Sequence, residues 1–192
     1  KFGVLLIFDE IITGFRWPNY TVSQNFGITP DIICLGKAIG GGLPLSVVGT
    51  RPGIGENVDW FISSTFGGDT LALAAMVEVL SLLTSTHKIG RLWGAGLSFI
   101  EKFNSYSDRV KISGYPTRGV FVGADIDRAM FMQAACNAGI LFGPSFFFNF
   151  DHIALTDTVL NTCRDILTRL NNNELTLVGQ IPKVSVAQKT RE

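Results

Sequence analysis

Three features stand in order along the chain, each of a type that can do chemistry. Asp9 ends an apolar run, Lys37 lies between another apolar run and a glycine triplet, and Ser64-Thr65-Phe66-Gly67-Gly68 precedes a helical pattern. Singly, each has a plain structural explanation: a strand-end Asp caps backbone amides, a lysine beside glycines is a solvated loop residue, and S-T-x-G-G before a helix is part of a capping box. Together they meet the needs of one cofactor. An aldehyde requires a lysine amine that spends time neutral at about pH 7, and Lys37 supplies the amine. A pyridine ring serves as an electron sink while a buried carboxylate keeps its nitrogen protonated, a task suited to Asp9 on a rigid strand end. A phosphate seeks hydroxyls and N–H groups at a helix N-terminus, where aligned peptide dipoles favour an anion, and Ser64, Thr65 and the glycines after them offer that cradle. Aldehyde, pyridine and phosphate together describe pyridoxal 5′-phosphate (PLP).

The elements that must position these groups follow from the hydrophobic pattern. Val4 to Phe8 is a continuous apolar run closed by Asp9-Glu10, the pattern of a strand buried on both faces in a parallel sheet. Ligands bind at the carboxyl ends of such strands. Asp31 to Leu35 and Leu45 to Gly49 read as two more short buried strands, and the glycine cluster between them calls for a tight turn. Helical spacing is expected from Thr70 to Thr84, with Asp69 as N-cap, and again from Lys88 to Phe103. Beyond Ser107 the pattern changes to alternating strands at Arg109–Ile112 and Val120–Gly123, a helix over Asp127–Asn137 and a last amphipathic helix over Thr156–Leu170. The expected organisation is therefore the end of a large α/β domain, residues 1–107, and a small α+β domain, residues 108–192, with a polar, mobile tail after Asn171.

Composition narrows the partners. In 192 residues, 46% of them hydrophobic, there is ample material for a buried core. Sixteen basic residues balance sixteen acidic ones, which leaves no net field to gather nucleic acid or an anionic membrane surface. Cys34, Cys136 and Cys163 are far apart and lack metal-ligand spacing, so neither a disulfide framework nor a metal site is expected, and a reducing cytoplasmic setting fits. The apolar run near the start is too short to span a bilayer. The opening Lys1-Phe2-Gly3, passing straight into a strand, suggests a piece of a longer protein.

The stretch from Leu6 to Arg16, with its D-E-x-x-T-G-F-R pattern, and the stretch from Phe26 to Pro44, with G-x-T-P-D-x-x-x-L-G-K-x-I-G-G-G, closely resemble class-III PLP aminotransferases. Within that class they look most like glutamate-1-semialdehyde 2,1-aminomutase and its aminotransferase relatives. The resemblance covers most of the chain, more weakly beyond Phe103. It implies an α/β fold of the PLP-dependent transferase fold-type-I kind, here the C-terminal part of the large domain (a mainly parallel sheet flanked by helices) plus the small α+β domain. It implies that Lys37 forms the Schiff base, that Asp9 partners the pyridinium nitrogen, and that Ile11 packs on one face of the ring. Thr65 matches the threonine that reaches the neighbouring subunit's phosphate, so a homodimer with a shared active site is implied. The family's N-terminal half carries the glycine/serine phosphate loop, a stacking aromatic and most substrate-reading residues, and none of these is in this chain.

Some positions depart from the family's pattern. Gly68-Asp69-Thr70 stands where the family often reads G-N-P. Ile12 replaces the glutamine common in aminotransferases, as in the aminomutase branch, whereas Pro144 to Asn149 offers no acid where the aminomutase has a glutamate. The expected activity is amino transfer between a small-molecule amino donor and a carbonyl acceptor. The intramolecular aminomutase reaction and a catalytically silent binding subunit are the alternatives, and retention of Lys37 and Asp9 speaks against the silent one.

Other residues take plainer readings. His87 is expected to cap a helix C-terminus, and His152 to sit in a surface loop. The Phe146–Phe150 run is expected to be small-domain core, and Arg118 an ordinary strand-end arginine. The glycines after Lys37 are not a Walker A loop, because Ala38 follows the lysine where Ser or Thr is required.

Overall fold

The computed structural model describes residues 2–56, 65–85 and 87–181. In chain order the elements are β1 (Ile7–Glu10), α1 (Val22–Phe26), β2 (Ile32–Leu35), a 3-10 turn (Lys37–Gly40), β3 (Val47–Thr50), α2 (Thr70–Ser85), α3 (Lys88–Asn104), β4 (Val110–Tyr115), β5 (Arg118–Gly123), α4 (Asp125–Asn137), β6 (Ser145–Phe147) and α5 (Phe150–Asn171). The chain divides into two compact units, Lys1–Trp93 and Gly94–Glu192, and the division falls within α3. Among the described residues no single helix is long and apolar enough to cross a membrane.

The first unit holds a three-stranded sheet in the order β1-β2-β3. β1 and β2 run parallel, with Asp9 opposite Cys34 and Glu10 opposite Leu35, while β3 returns antiparallel to β2. The sheet is mixed because a short connection through the glycine-rich turn can only reverse the chain; a parallel neighbour needs a longer crossover. The expectation that the first strand is buried on both faces is corrected here. Leu6 and Ile7 are exposed, and of the four β1 residues only Glu10 is buried. Trp17 anchors the unit's small core, its ring centroid 5.0 Å from that of Trp93 and 5.5 Å from that of Phe26.

Local chemistry sets the element ends. Thr21 caps α1 by accepting from the Gln24 N–H, and Gly27 closes the helix in the left-handed conformation. The Leu71 N–H donates to Asp69 Oδ1 at 3.3 Å, the capping role that the sequence predicts for Asp69. Neither α1 nor β6 was expected from the pattern, because five- and three-residue elements carry too little periodicity to register.

In the second unit an antiparallel sheet, β4-β5-β6, packs with α4 and α5 around aromatic rings. Phe121 sits 5.7 Å from Phe103, 5.4 Å from Phe131 and 5.6 Å from Phe146, so of the run expected to be core Phe146 and the buried Phe148 join it, whereas Phe147 and Phe150 are exposed. Arg109 clasps the unit from outside. Its guanidinium donates to both Asp127 oxygens, to the Leu170 carbonyl and to Asn173 Oδ1, tying α4 to the end of α5. Beyond α5 the chain lies against α4, where the Gln133 amide pairs with both the N–H and the carbonyl of Val178.

Two histidine readings change. His152 is in the first turn of α5, not a loop: it forms a capping box with Asn149, accepting the Asn149 N–H on Nδ1 while its own N–H donates to Asn149 Oδ1. His87 has φ +48° and offers its carbonyl to the Arg91 N–H, so it begins α3 rather than capping the end of α2.

Candidate active site

The parallel pairing of β1 and β2 brings two of the predicted residues to one edge of the first unit. Asp9 lies opposite Cys34, and Lys37 follows three residues later, just past the carboxyl end of β2. Both side chains are exposed. Asp9 Oδ1 accepts the Ile11 N–H at 3.1 Å, which holds the carboxylate at the strand end with its other oxygen left for a ligand. Ile11 lies over the start of the Lys37 turn: a Cβ built on Gly36 would meet Ile11 Cγ2 at 3.3 Å. Asp9, Ile11 and Lys37 are thus gathered by the β1–β2 pairing.

Lys37 itself has φ +48°, a left-handed backbone that costs a residue with a Cβ roughly 1–2 kcal/mol. The turn is held from both sides. The Gly41 N–H bonds the Ala38 carbonyl, and a Cβ on Gly41 would meet Val79 Cγ2 at 2.9 Å, so only glycine lets α2 pack this closely against the turn. Through that contact α2 braces the lysine. Thr65 stands in the turn ahead of α2, exposed to solvent, and Ser64 lies outside the described residues. The helix that Thr65 leads into packs on the lysine turn.

The residue that motif reading passed over is Glu10. It is 1% exposed, and its carboxylate accepts from Thr13 Oγ1 at 2.9 Å, from the Val22 N–H at 2.8 Å and from the Ser23 N–H at 2.9 Å. The signal was in the D-E-x-x-T-G spacing, which puts an acid three residues before a hydroxyl and four before a glycine. That glycine is required, since a Cβ on Gly14 would fall 2.7 Å from the Glu10 carbonyl oxygen. Arg16, at the end of the same motif, has its pKa lowered from the ordinary arginine value by burial.

Cavities also lie elsewhere, in the second unit. One of about 860 Å³ opens beside α4 at Arg128, Met132 and Cys136, and one of about 580 Å³ lies between Phe99, Phe146 and Val159. Neither is lined by Asp9, Ile11, Lys37 or Thr65, and among the described residues no cluster of His, Cys, Asp and Glu could hold a metal ion.

Comparison with known proteins places the chain in a family. The chain is 33% identical over 163 residues to the glutamate-1-semialdehyde 2,1-aminomutase of Desulforapulum autotrophicum, an alignment covering 83% of this chain and 35% of the relative. It is 43% identical over 91 residues to glutamate-1-semialdehyde 2,1-aminomutase 1 of Listeria welshimeri, over 45% of this chain and 21% of the relative. The chain thus spans little more than a third of the length of the curated relatives it matches. Among solved structures, an omega-transaminase from Sphaerobacter thermophilus superposes with a TM-score of 0.74 at 20% identity, covering 88% of this chain and 45% of that one. An S-selective transaminase from Arthrobacter sp. with alanine bound gives 0.74 at 21%, covering 90% and 46%. Those likenesses establish a shared α/β transaminase fold. The family profile Aminotransferase class-III matches residues 1–169, and with that extent of agreement the chain belongs to the class-III aminotransferases.

Proposed function

We propose that this chain is the C-terminal portion of a PLP-dependent class-III aminotransferase that moves an amino group from a small-molecule donor to a carbonyl acceptor, with Lys37 as the residue that holds the cofactor covalently. The observation that carries the reading is the β1–β2 pairing, which puts a carboxylate and a lysine at the ends of neighbouring parallel strands beside an aliphatic side chain. Bound PLP supplies an aldehyde for the lysine and a protonated ring that accepts electron density from the substrate. Asp9 would hold the proton on the ring nitrogen, and Ile11 would pack against the ring. Lys37 Nζ, when its amine is free, would take the substrate's Cα proton as general base. Thr65, with Ser64, would bond a phosphate, that of the neighbouring subunit in a homodimer with shared sites.

Residues 1–107 are then the end of the large domain and 108–192 the small one. The balanced charge and scattered cysteines support a cytoplasmic enzyme with no nucleic-acid or membrane partner. A second reading, glutamate-1-semialdehyde 2,1-aminomutase, is favoured by the names of the curated relatives and opposed by Phe146-Phe147-Phe148 where an acid is wanted. Product analysis with and without a second keto substrate separates the two. The cofactor assignment is tested on the full-length protein by borohydride reduction and peptide mass mapping. A pyridoxyl group is expected on Lys37 and absent from a folded Lys37→Ala variant; its retention in that variant refutes the assignment.

A further inference from the structure

We propose that Glu10 is a positioning residue for the candidate site, setting Asp9 and Ile11 through a closed set of hydrogen bonds. This rests on the reading of Asp9 as the partner of the cofactor ring. Successive residues of a strand face opposite sides, so Asp9 and Glu10 at the end of β1 divide the labour: Asp9 is exposed at the sheet edge, whereas Glu10 is 1% exposed within the protein. A buried carboxylate is costly unless its lone pairs are met, and three donors meet those of Glu10.

The positions of those donors point to the role. The turn after β1 is closed by Glu10 twice, through its carbonyl, which takes the Gly14 N–H at 2.8 Å, and through its carboxylate, which takes the Thr13 hydroxyl. Ile11 is the first residue inside that turn, and its N–H is the group that holds Asp9 Oδ1. A continuous path thus runs from the Glu10 carboxylate through the turn to the Ile11 amide and on to the Asp9 carboxylate. The remaining two bonds, to the Val22 and Ser23 N–H groups, fasten the same path to the start of α1, which fixes it against the rest of the unit. Release of the Glu10 carboxylate lets the turn relax, and Asp9 and Ile11 shift together.

The experiment compares full-length E10Q, T13V, T13S and D9N proteins reconstituted with PLP. In E10Q the shape is kept, but an amide NH2 must face one of the donors. Borohydride-fixed cofactor per chain should stay at the wild-type level, the visible circular dichroism of bound cofactor should change, and kcat should fall about 10- to 100-fold, as for a small misplacement of reacting groups. The donor KM should stay within about threefold, because a group that orients the site acts on turnover more than on uniform binding. T13V, which removes one of the three bonds, should move both signals in the same direction by less, and T13S should restore them.

A lowered melting temperature with unchanged dichroism and unchanged kcat per bound cofactor in E10Q would overturn the proposal and leave Glu10 as a fastener of α1. If E10Q does not fold, T13V decides: a folded T13V protein with wild-type dichroism and kcat equally overturns it. D9N isolates the underlying reading. Wild-type dichroism and turnover in D9N would remove Asp9 from the site whatever E10Q does.

Discussion

Asp9 and Glu10 are both acids, adjacent in the chain, yet one is exposed at a sheet edge and the other is sealed in by three donors. The same division by environment applies to the cysteines. Burial pushes the Cys163 thiol up to about 12, so in the folded protein it stays protonated and unreactive at any working pH. Cys136 is exposed on α4. Brief maleimide labelling of the folded protein should modify the exposed Cys136 and spare the buried Cys163. Peptide mapping checks this, and Cys163 should become reactive only above the unfolding transition. Labelling of Cys163 at the rate of Cys136 in folded protein would show that the aromatic core opens readily.

At the level of elements, α3 shows how differently two glycines within one helix can behave. A Cβ on Gly94 would meet nothing within 4 Å, whereas one on Gly96 would lie 2.1 Å from the Pro116 carbonyl oxygen. Gly94→Ala should stabilise the protein by about 0.5–1 kcal/mol, through the helix propensity of alanine and a less free unfolded chain. Gly96→Ala should cost about 1–3 kcal/mol, as overpacking does, because backbone rather than a flexible side chain must give way. Urea denaturation of the full-length protein reads both, and equal effects would contradict the packing of α3 on the β4–β5 turn. The outlines of α2, α3, α4 and α5 could be read from the sequence because long amphipathic runs repeat their signal, and the strand positions came through from short apolar runs. Burial did not: the apolar run before Asp9 reads as doubly covered, but coverage depends on which other elements lie over it.

For the molecule as a whole, the decisive expectation is that each site draws on two chains. If Thr65 serves the neighbouring subunit's phosphate, Thr65→Val should weaken the cofactor by about 1.5–3 kcal/mol, the range for a hydrogen bond to a charged group. Mixed dimers of a Lys37→Ala chain and a Thr65→Val chain distinguish the arrangements. A shared site concentrates both lesions in one pocket and leaves the other intact, so about half the wild-type turnover per dimer should return at limiting PLP, consistent with linkage between ligand and assembly. If each chain used its own Thr65, one site would lack its lysine and the other its phosphate bond, and turnover would stay well below half.

The residue types and their order were enough to point to the cofactor class and to propose a lysine and a ring carboxylate for it, since a Schiff-base amine, a pyridinium partner and an anion cradle each demand particular functional groups. They were also enough to locate most helices and the aromatic core of the second unit. The tertiary structure decided what spacing does not encode. It put Asp9 and Lys37 on neighbouring parallel strand ends, bent Lys37 into a left-handed turn held by α2, and turned Glu10 inward onto a hydroxyl and two amides contributed from three and more than ten residues away. The reason is physical: chemical identity is a property of one residue, whereas burial, strand partner and hydrogen-bond donor are properties of chain segments that meet only after folding.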